Sequence, residues 1–415
     1  MRRLFQSWLT RYHRSLASLS NHVNQQKHPT PNPDFTNTVT LILGIETSCD
    51  ETAAAVVQDG RHVLSNIVAS QHDLHEKYRG VVPEIASRAH LERINPTIEQ
   101  ALEQSKTTFD QIDAIAVGNR PGLIGSLLVG VSAAQSLAWS LSKPLIGVDH
   151  VEAHLYAASL VTRHTDDTPP SRPQYPALGL VVSGGHSSLY RIESPTELYL
   201  LGRTIDDAVG EAYDKAAVIL ELGYPGGPNV DRAANRGQPT TPLPRSLLNK
   251  DSLDFSFSGL KTALLYKVRG KPIQRDGKAN FERDASSLTH QQRNNLAASF
   301  QDAATGALIS KVERAIHQMD HAGCRPQSLI IGGGVCANSL LRERVKQLPQ
   351  KHHDIQVFLP PLPLCLDNAA MIAGLAYEHL RHHRTDELSL PAMATTSGIA
   401  KTSCTGKFAH RKALS

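Results

Sequence analysis

Residues 41–57 read LILGIETSCDETAAAVV, and residues 178–192 read LGLVVSGGHSSLYRI. Each stretch is an apolar run, a polar turn and a second apolar run, which predicts strand, turn, strand. Outward from the first copy, Asp59-Gly60 is a turn dipeptide and residues 62–70 form a third strand candidate. Residues 83–104 carry Ile85, Leu91, Ile94, Ile98 and Leu102 at helical spacing. A short apolar strand at 112–117, a helix at 122–141 and a strand at 145–148 follow. The 122–141 stretch is rich in Gly and Ala and contains Ser126, Ser132, Gln135 and Ser140, so it reads as a buried helix rather than a membrane span. Outward from the second copy, strands are expected at 177–182, 187–192 and 198–201. Helical segments come next at 205–222, 229–235 and 291–318. A strand at 328–331, a helix at 338–347, a strand at 356–359 and a closing helix at 368–380 complete the body.

Alternating strands and helices define an α/β class. A three-strand unit that restarts halfway points to a two-lobed actin-like fold, built from duplicated mixed-sheet units around a central cleft. The expected boundaries are a first lobe at 39–160, a second lobe at 161–350 and a return segment at 351–381. Gly332-Gly333-Gly334, between a strand and a helix, supplies a third cleft loop where backbone can approach a phosphate or sugar.

The chain has 415 residues, which suits two lobes better than one core. With 40% hydrophobic and 20% charged residues it belongs to the folded globular class. A net charge of +4 is too small to argue for nucleic acid without a clustered basic face. Five scattered cysteines without a C-x-x-C pair exclude a disulfide framework and a zinc ribbon, and favour a reducing compartment. Residues 1–38 hold Arg2, Arg3, Arg11 and Arg14 and one acid, Asp34. That composition suits either a disordered extension or a mitochondrial transit segment. The compartment expected for the body is the cytoplasm, with the mitochondrion as the alternative. Residues 382–415 lack apolar period and read as a disordered, solvated tail.

His150 and His154 stand four apart in VDHVEAHLYA, one helical turn, so both imidazoles share a face and can share one ion. Glu152 points to another face, and no H-E-x-x-H motif is present. Asp367, in LCLDNAAMIAG, is the best third ligand, and a helix N-cap is its ordinary alternative role. Two histidines and one carboxylate leave open positions, which suits iron or zinc handling a substrate. Ser183, Gly184 and Gly185 form either a backbone cradle for a phosphate or carbamoyl group or a plain hairpin turn. Asp207, Glu211 and Asp214 are expected on one helix face, as a functional carboxylate cluster or as a solvated face with Glu211 pairing Lys215. Asp231, after the Gly226-Gly227 turn, is placed to grip ribose hydroxyls or to cap the next helix. Cys49 reads as a small buried residue rather than a nucleophile.

Ten blocks in order resemble the bacterial tRNA N6-adenosine threonylcarbamoyltransferases, the TsaD family. They are GIETSCDET, GVVPEIASRAH, PGLIGSLLVG, HVEAH, LVVSGGHSSL, IDDAVGEAYDKAA, YPGGPNVD, DFSFSGLKTAL, GGGVCANSLLR and LDNAAMIA. The resemblance runs from about Leu41 to Leu380. It implies that His150, His154 and Asp367 bind one divalent metal ion, iron or zinc. It also implies that Val181, Val182, Ser183, Gly184 and Gly185 form the substrate loop, with Asp214, Gly227, Asp231 and Asn338 as further contacts to threonylcarbamoyl-adenylate. The implied reaction moves the threonylcarbamoyl group to N6 of the adenosine next to the anticodon, in tRNAs that read codons beginning with A, and releases AMP. Implied partners are tRNA, a paralogous actin-like subunit and a small ATPase subunit, with no membrane. Three departures stand out: Asp149 where the family usually has Asn or His, Leu366 where it usually has Thr, and Arg120 where bacterial members often have Gly. The first is expected to add negative charge beside the site, the second to remove a hydroxyl contact.

The N6 amine is a weak nucleophile, because its lone pair is delocalised into the ring, so an activated carbamoyl donor is expected. Asp50, Glu51 and Glu211 are the candidates for a proton acceptor. Rival readings are an ATP-dependent kinase or ATPase on the same fold, a metalloprotease and a non-catalytic scaffold subunit. Arg79, Arg88, Arg93, Lys261 and Arg342 are candidate phosphate contacts, although each taken singly reads first as ordinary surface charge.

Overall fold

Strand β1 (Leu41–Glu46) is the middle of a sandwich, which explains why its apolar run does not alternate. Leu43 and Ile45 face a core shared with helices Pro83–Ser105 and Ile124–Leu141. On the other side, Gly44 lies so close to helix Ala369–Arg381 that a methyl group there would sit 2.4 Å from the Ala369 carbonyl oxygen. The sheet is completed by β2 (Glu51–Gln58), β3 (His62–Ser70), β4 (Ala114–Arg120), β5 (Leu145–Asp149) and β6 (Val161–Thr162), in the order β5-β4-β1-β2-β3-β6.

A second sheet repeats the plan. It contains β7 (Ala177–Val182), β8 (Ser187–Ser194), β9 (Glu197–Arg203), then, after a small hairpin of β10 (Ile273–Arg275) and β11 (Lys278–Asn280), β12 (Ser328–Gly332) and β13 (Gln356–Phe358). Its order is β13-β12-β7-β8-β9. In both sheets the first strand runs antiparallel to the second and parallel to the fourth. This is the two-sheet, duplicated, actin-like α/β architecture. Leu178, Leu180 and Val182 face the larger core, which is filled by helices Val209–Ile219, Gly226–Ala234, Ser258–Arg269 and the 32-residue His290–His321. Helix Ser339–Lys351 covers the same side. The described residues are 39–78, 80–162, 171–246, 248–249, 251–275, 278–281, 283–352 and 355–396 of this computed structural model.

Several sequence expectations move. Val161–Thr162, expected to open the second lobe, pairs in parallel with His62–Val63 of the first sheet. The stretch after 382, read as a solvated tail, packs against the first sheet as far as Met393. Asp386 N–H donates to Leu145 O at 2.8 Å, Gly147 N–H donates to the Asp386 carboxylate at 2.8 Å, and Leu390 is buried in the core. A few backbone hydrogen bonds and one buried leucine anchor this stretch, too little signal to show as periodicity. Residues 397–415 and the extension at 1–38 lie outside the described residues. The helix Ile124–Leu141, read as buried, buries only one face. Ile124, Leu128 and Trp139 are about half exposed on the other, and by length and composition alone the helix passes as a membrane span.

Candidate metal centre

Helix His150–Tyr156 starts at the end of β5 and is wedged between the two sheets. Val151 and Leu155 pack on Val181, Ile192 and Ile330 of the second sheet. The face one step round carries His150 and His154, both buried, with rings 4.6 Å apart at 81°. Gly332 approaches the same helix so closely that a methyl group there would lie 2.1 Å from His154 O. Gly333 adopts φ +95°, a conformation that favours glycine, and a methyl group there would collide with Val182 O.

Asp367 reaches this pair from the start of the closing helix. Its alternative role as N-cap belongs to its neighbour: Asn368 Oδ1 accepts from Met371 N–H at 3.0 Å, which leaves the Asp367 carboxylate free. Asp367 Oδ1 lies 3.1 Å from His154 Nε2 and 3.5 Å from His150 Nε2. One donor atom from each of the three residues falls within 4.8 Å of the others. Both ring nitrogens of His154 are buried without a hydrogen bond of acceptable geometry among the described residues, although Nε2 has the Asp367 oxygen beside it. A buried imidazole in that condition, facing a carboxylate and a second imidazole, fits a divalent metal ion.

Charge coupling is strong here. Burial opposes charging of His150, but the carboxylates of Asp367 and Glu46 outweigh it and raise its pKa well above the imidazole range. Burial lowers the pKa of His154. Burial works against ionising Asp367, yet the two histidines hold it well below the carboxylate range. Without a cation, the cluster therefore carries its own proton, which an incoming metal would release.

The other predicted residues are placed as follows. Asp50 and Glu51 border the centre. Burial, then the charges of Asp367 and Asp50, push Glu51 up to about 9, so it holds a proton at neutral pH and is a poor acceptor before a cation arrives. Burial and Asp50 raise the Cys49 thiol far above its usual range, which removes it as a nucleophile. Asp207 is not on the helix with Glu211 and Asp214, because the helix begins at Val209. It accepts from Lys215 at 2.9 Å and Lys261 at 2.8 Å. Glu211 is half exposed and pairs with Lys215 at 2.7 Å, the solvated-face arrangement. Asp214 accepts from Gly226 N–H at 3.1 Å; Gly226 and Gly227, expected to form a turn, are the first residues of helix Gly226–Ala234, which also contains Asp231. Asp231 accepts from Gln301 at 2.9 Å, Asn338 at 3.2 Å and Ser339 at 2.7 Å. Asn338 also caps helix Ser339–Lys351 through Leu341 N–H. Val181 and Val182 are fully buried strand residues, so only their backbone can face a ligand, whereas Ser183, Gly184 and Gly185 form the open turn.

Asp149 is held beside the centre, where it interacts electrostatically with His150. Its carboxylate caps the histidine helix through Val151 N–H at 2.9 Å and lies 3.5 Å from Arg120 Nε. Two departures from the family pattern thus meet and offset each other. Leu366 is largely exposed and lies over Gly334, an apolar contact in place of the expected hydroxyl.

Two residues escaped the sequence reading. His186, in the turn of the second sheet, is close enough to the centre to feel its charges. Burial first, then the charges of His150 and His154, lower it to about 4, so it is a neutral imidazole. Glu46, at the end of β1, is fully buried against His150. A histidine and an acid inside the two matched turns were the available signals.

A two-lobed α/β frame with a His-His-Asp cluster, both imidazoles buried, defines an actin-like enzyme with a candidate metal centre. HypF from T. kodakarensis shares the fold, with a TM-score of 0.51 at 14% identity over 84% of this chain and 50% of that one. The family model of tRNA N6-adenosine threonylcarbamoyltransferase matches residues 62–374, and this chain belongs to that family. A relative from Symbiobacterium thermophilum with that name is 51% identical over 85% of this chain and 95% of its own length. Relatives from Trichlorobacter lovleyi and Bacillus cereus are 48% and 45% identical, over 96% and 92% of their lengths. The chain is therefore a transferase acting on tRNA, and the kinase, protease and scaffold readings are not favoured.

Proposed function

We propose that the chain takes the threonylcarbamoyl group from threonylcarbamoyl-adenylate, passes it to N6 of the adenosine beside the anticodon in tRNAs reading codons that begin with A, and releases AMP. The observation that carries this reading is the convergence of His150, His154 and Asp367, with His186 of the Ser183–His186 turn within reach of their charges. His150, His154 and Asp367 would hold one divalent ion, with iron ahead of zinc for two histidines and one carboxylate. Such an ion, when bound, supplies Lewis-acid polarisation of the carbamoyl oxygen. The remaining work belongs to the protein. Backbone groups at Ser183, Gly184 and Gly185 are open to receive the donor and to stabilise charge as AMP departs. Asp231 is held through Oδ1 by three donors, and its second oxygen is the one proposed to meet ribose hydroxyls. His186, neutral and within electrostatic reach of the centre, is the imidazole proposed to meet the reacting groups. Of the proposed acceptors for the N6 proton, Glu211 is paired with lysine, which leaves Asp50 and Glu51 beside the centre.

The proposed partners are a second actin-like subunit and a small ATPase subunit. The apolar outer face of helix Ile124–Leu141, with Ile124, Leu128 and Trp139, and Leu91 on the neighbouring helix, supports a protein contact there. The proposed compartment is the cytoplasm, consistent with four free cysteines among the described residues. A processed N-terminus inside residues 1–38 would favour an organelle instead. The test is a transfer assay with purified chain, threonylcarbamoyl-adenylate and unmodified tRNA, with and without partners, alongside elemental analysis. Transfer that persists after complete metal removal would sink the metal's part in it. Steady ATP turnover without tRNA would favour the kinase reading.

A further inference from the structure

His150 has one nitrogen to offer because the other is engaged. Its Nδ1 lies 3.1 Å from Glu46 Oε2 and 3.1 Å from Ser48 Oγ. Glu46 is 0% exposed, and its other oxygen, Oε1, accepts from Ser48 N–H at 2.5 Å. Both carboxylate oxygens are thus assigned by the backbone on one side and the imidazole on the other. Carboxylate oxygens accept and do not donate, so Nδ1 carries the proton on this contact. Neutral His150 must then present its lone pair at Nε2, on the side of Asp367. The pocket is shaped around the carboxylate: a methyl group at Gly118, on β4, would lie 2.4 Å from Glu46 Oε2.

We propose that Glu46 is a positioning residue that fixes the tautomer and ring orientation of His150, so that Nε2 is the nitrogen offered to the metal. The inference rests on the metal-site reading above and extends it by one shell. Ligand histidines generally donate their second N–H to a carboxylate, carbonyl or water, and losing that partner costs about 10- to 100-fold in metal affinity.

Glutamine is the decisive replacement because it keeps the shape and has one acceptor oxygen. With that oxygen on Ser48 N–H, its NH2 faces Nδ1 and forces the proton onto Nε2, which removes the ligand. With the amide turned over, the NH2 faces Ser48 N–H, donor against donor. Gly118→Ala tests the same contact from outside, since its methyl displaces the carboxylate without touching a ligand.

The experiment titrates metal-free wild type, Glu46→Gln, Gly118→Ala and His154→Ala with cobalt(II). It reads affinity by chelator competition and the visible ligand-field bands, and checks folding by thermal unfolding without metal. Wild type is expected to take one equivalent and His154→Ala to lose it. Glu46→Gln is expected to bind about 10- to 100-fold more weakly with shifted bands, and Gly118→Ala to move the same way. Wild-type affinity and bands in Glu46→Gln, with His154→Ala still deficient, would overturn the role of Glu46 alone. Cobalt binding by His154→Ala equal to wild type would overturn the metal-site reading itself. If Glu46→Gln does not fold, Gly118→Ala decides, and wild-type affinity there overturns the proposal.

Discussion

The turn after β1 and the turn after β7 occupy equivalent places in two sheets of the same topology, yet they are opposites in chemistry. The first, Thr47–Asp50, is crowded and charged. Glu46 is buried beneath it, Asp50 closes it with Glu51 next in the chain, and His150, His154 and Asp367 converge beside it. The second, Ser183–His186, is open: a methyl group on Gly184 or Gly185 would meet nothing within 4 Å. One copy of a duplicated frame anchors ligand atoms by buried charge. The other leaves backbone accessible. Cooperation between the two requires only that the same frame be used twice with different turn residues.

The contrast is broken most severely by removing a ligand. His154→Ala, or equally His150→Ala, is expected to abolish stoichiometric metal and to lower transfer by at least about 100-fold, seen by elemental analysis and single-turnover assay together. A metal-free variant with full activity would separate the two turns altogether. Crowding the open turn is expected to do the converse. Gly185→Val should keep the metal and the melting temperature, because its methyls enter open space, while transfer falls by up to about 100-fold through a misplaced donor. Loss of metal in that variant would show that the turns are not independent.

Next in size is the pair of departures on the anchoring side. Arg120→Gly leaves the buried Asp149 carboxylate without its cation and is expected to cost about 1–3 kcal/mol. Burial already raises the pKa of Asp149 and Arg120 opposes it, so the single variant should push that pKa further up. Adding Asp149→Asn, which still offers an N-cap oxygen, should recover much of the loss. A urea-unfolding double-mutant cycle with no coupling would show that the two departures are unrelated. The smallest effect concerns Asp207, on the open side. Burial opposes its ionisation, but Lys261 and Lys215 outweigh burial and lower its pKa. Its contribution is therefore present above the unfolded carboxylate range and lost as pH falls through the lowered value. Partly exposed pairs of this kind contribute less than about 1 kcal/mol. Asp207→Asn should lower stability slightly at neutral pH and leave it nearly unchanged in strong acid, which flattens the acid limb of the profile.

Much of this was legible in residue order. Strand, turn, strand appears twice in the sequence, because β1 and β7 are both covered on two faces and must be apolar throughout. His150 and His154 were found from a spacing of four, which a helix alone makes meaningful. Asp214, Asp231 and Asn338 were placed near turns that the sequence marks with glycine. The cluster of Asp207, Glu211 and Asp214 was misread, since periodicity does not reveal that the helix starts at Val209, after Asp207 has turned toward Lys261. The outer face of helix Ile124–Leu141 was misread too, because an apolar residue looks the same whether covered or exposed. Residues after 382 were misread because a single buried leucine and a few backbone bonds leave no periodic trace.

What the sequence determined by itself is the set of local geometries: two apolar hairpins, one histidine pair on a helical face, and glycines where backbone comes close. These follow from fixed periods of helix and strand and need no distant partner. Tertiary structure alone decided which groups meet. It brought Asp367 to histidines more than 200 positions away, gave Asn368 the cap so that Asp367 was free, paired Arg120 with Asp149, and placed Glu46 against the back of His150. The physical reason is that charge and hydrogen bonding act through space at a few ångströms, and only packing sets which distant residues come that close.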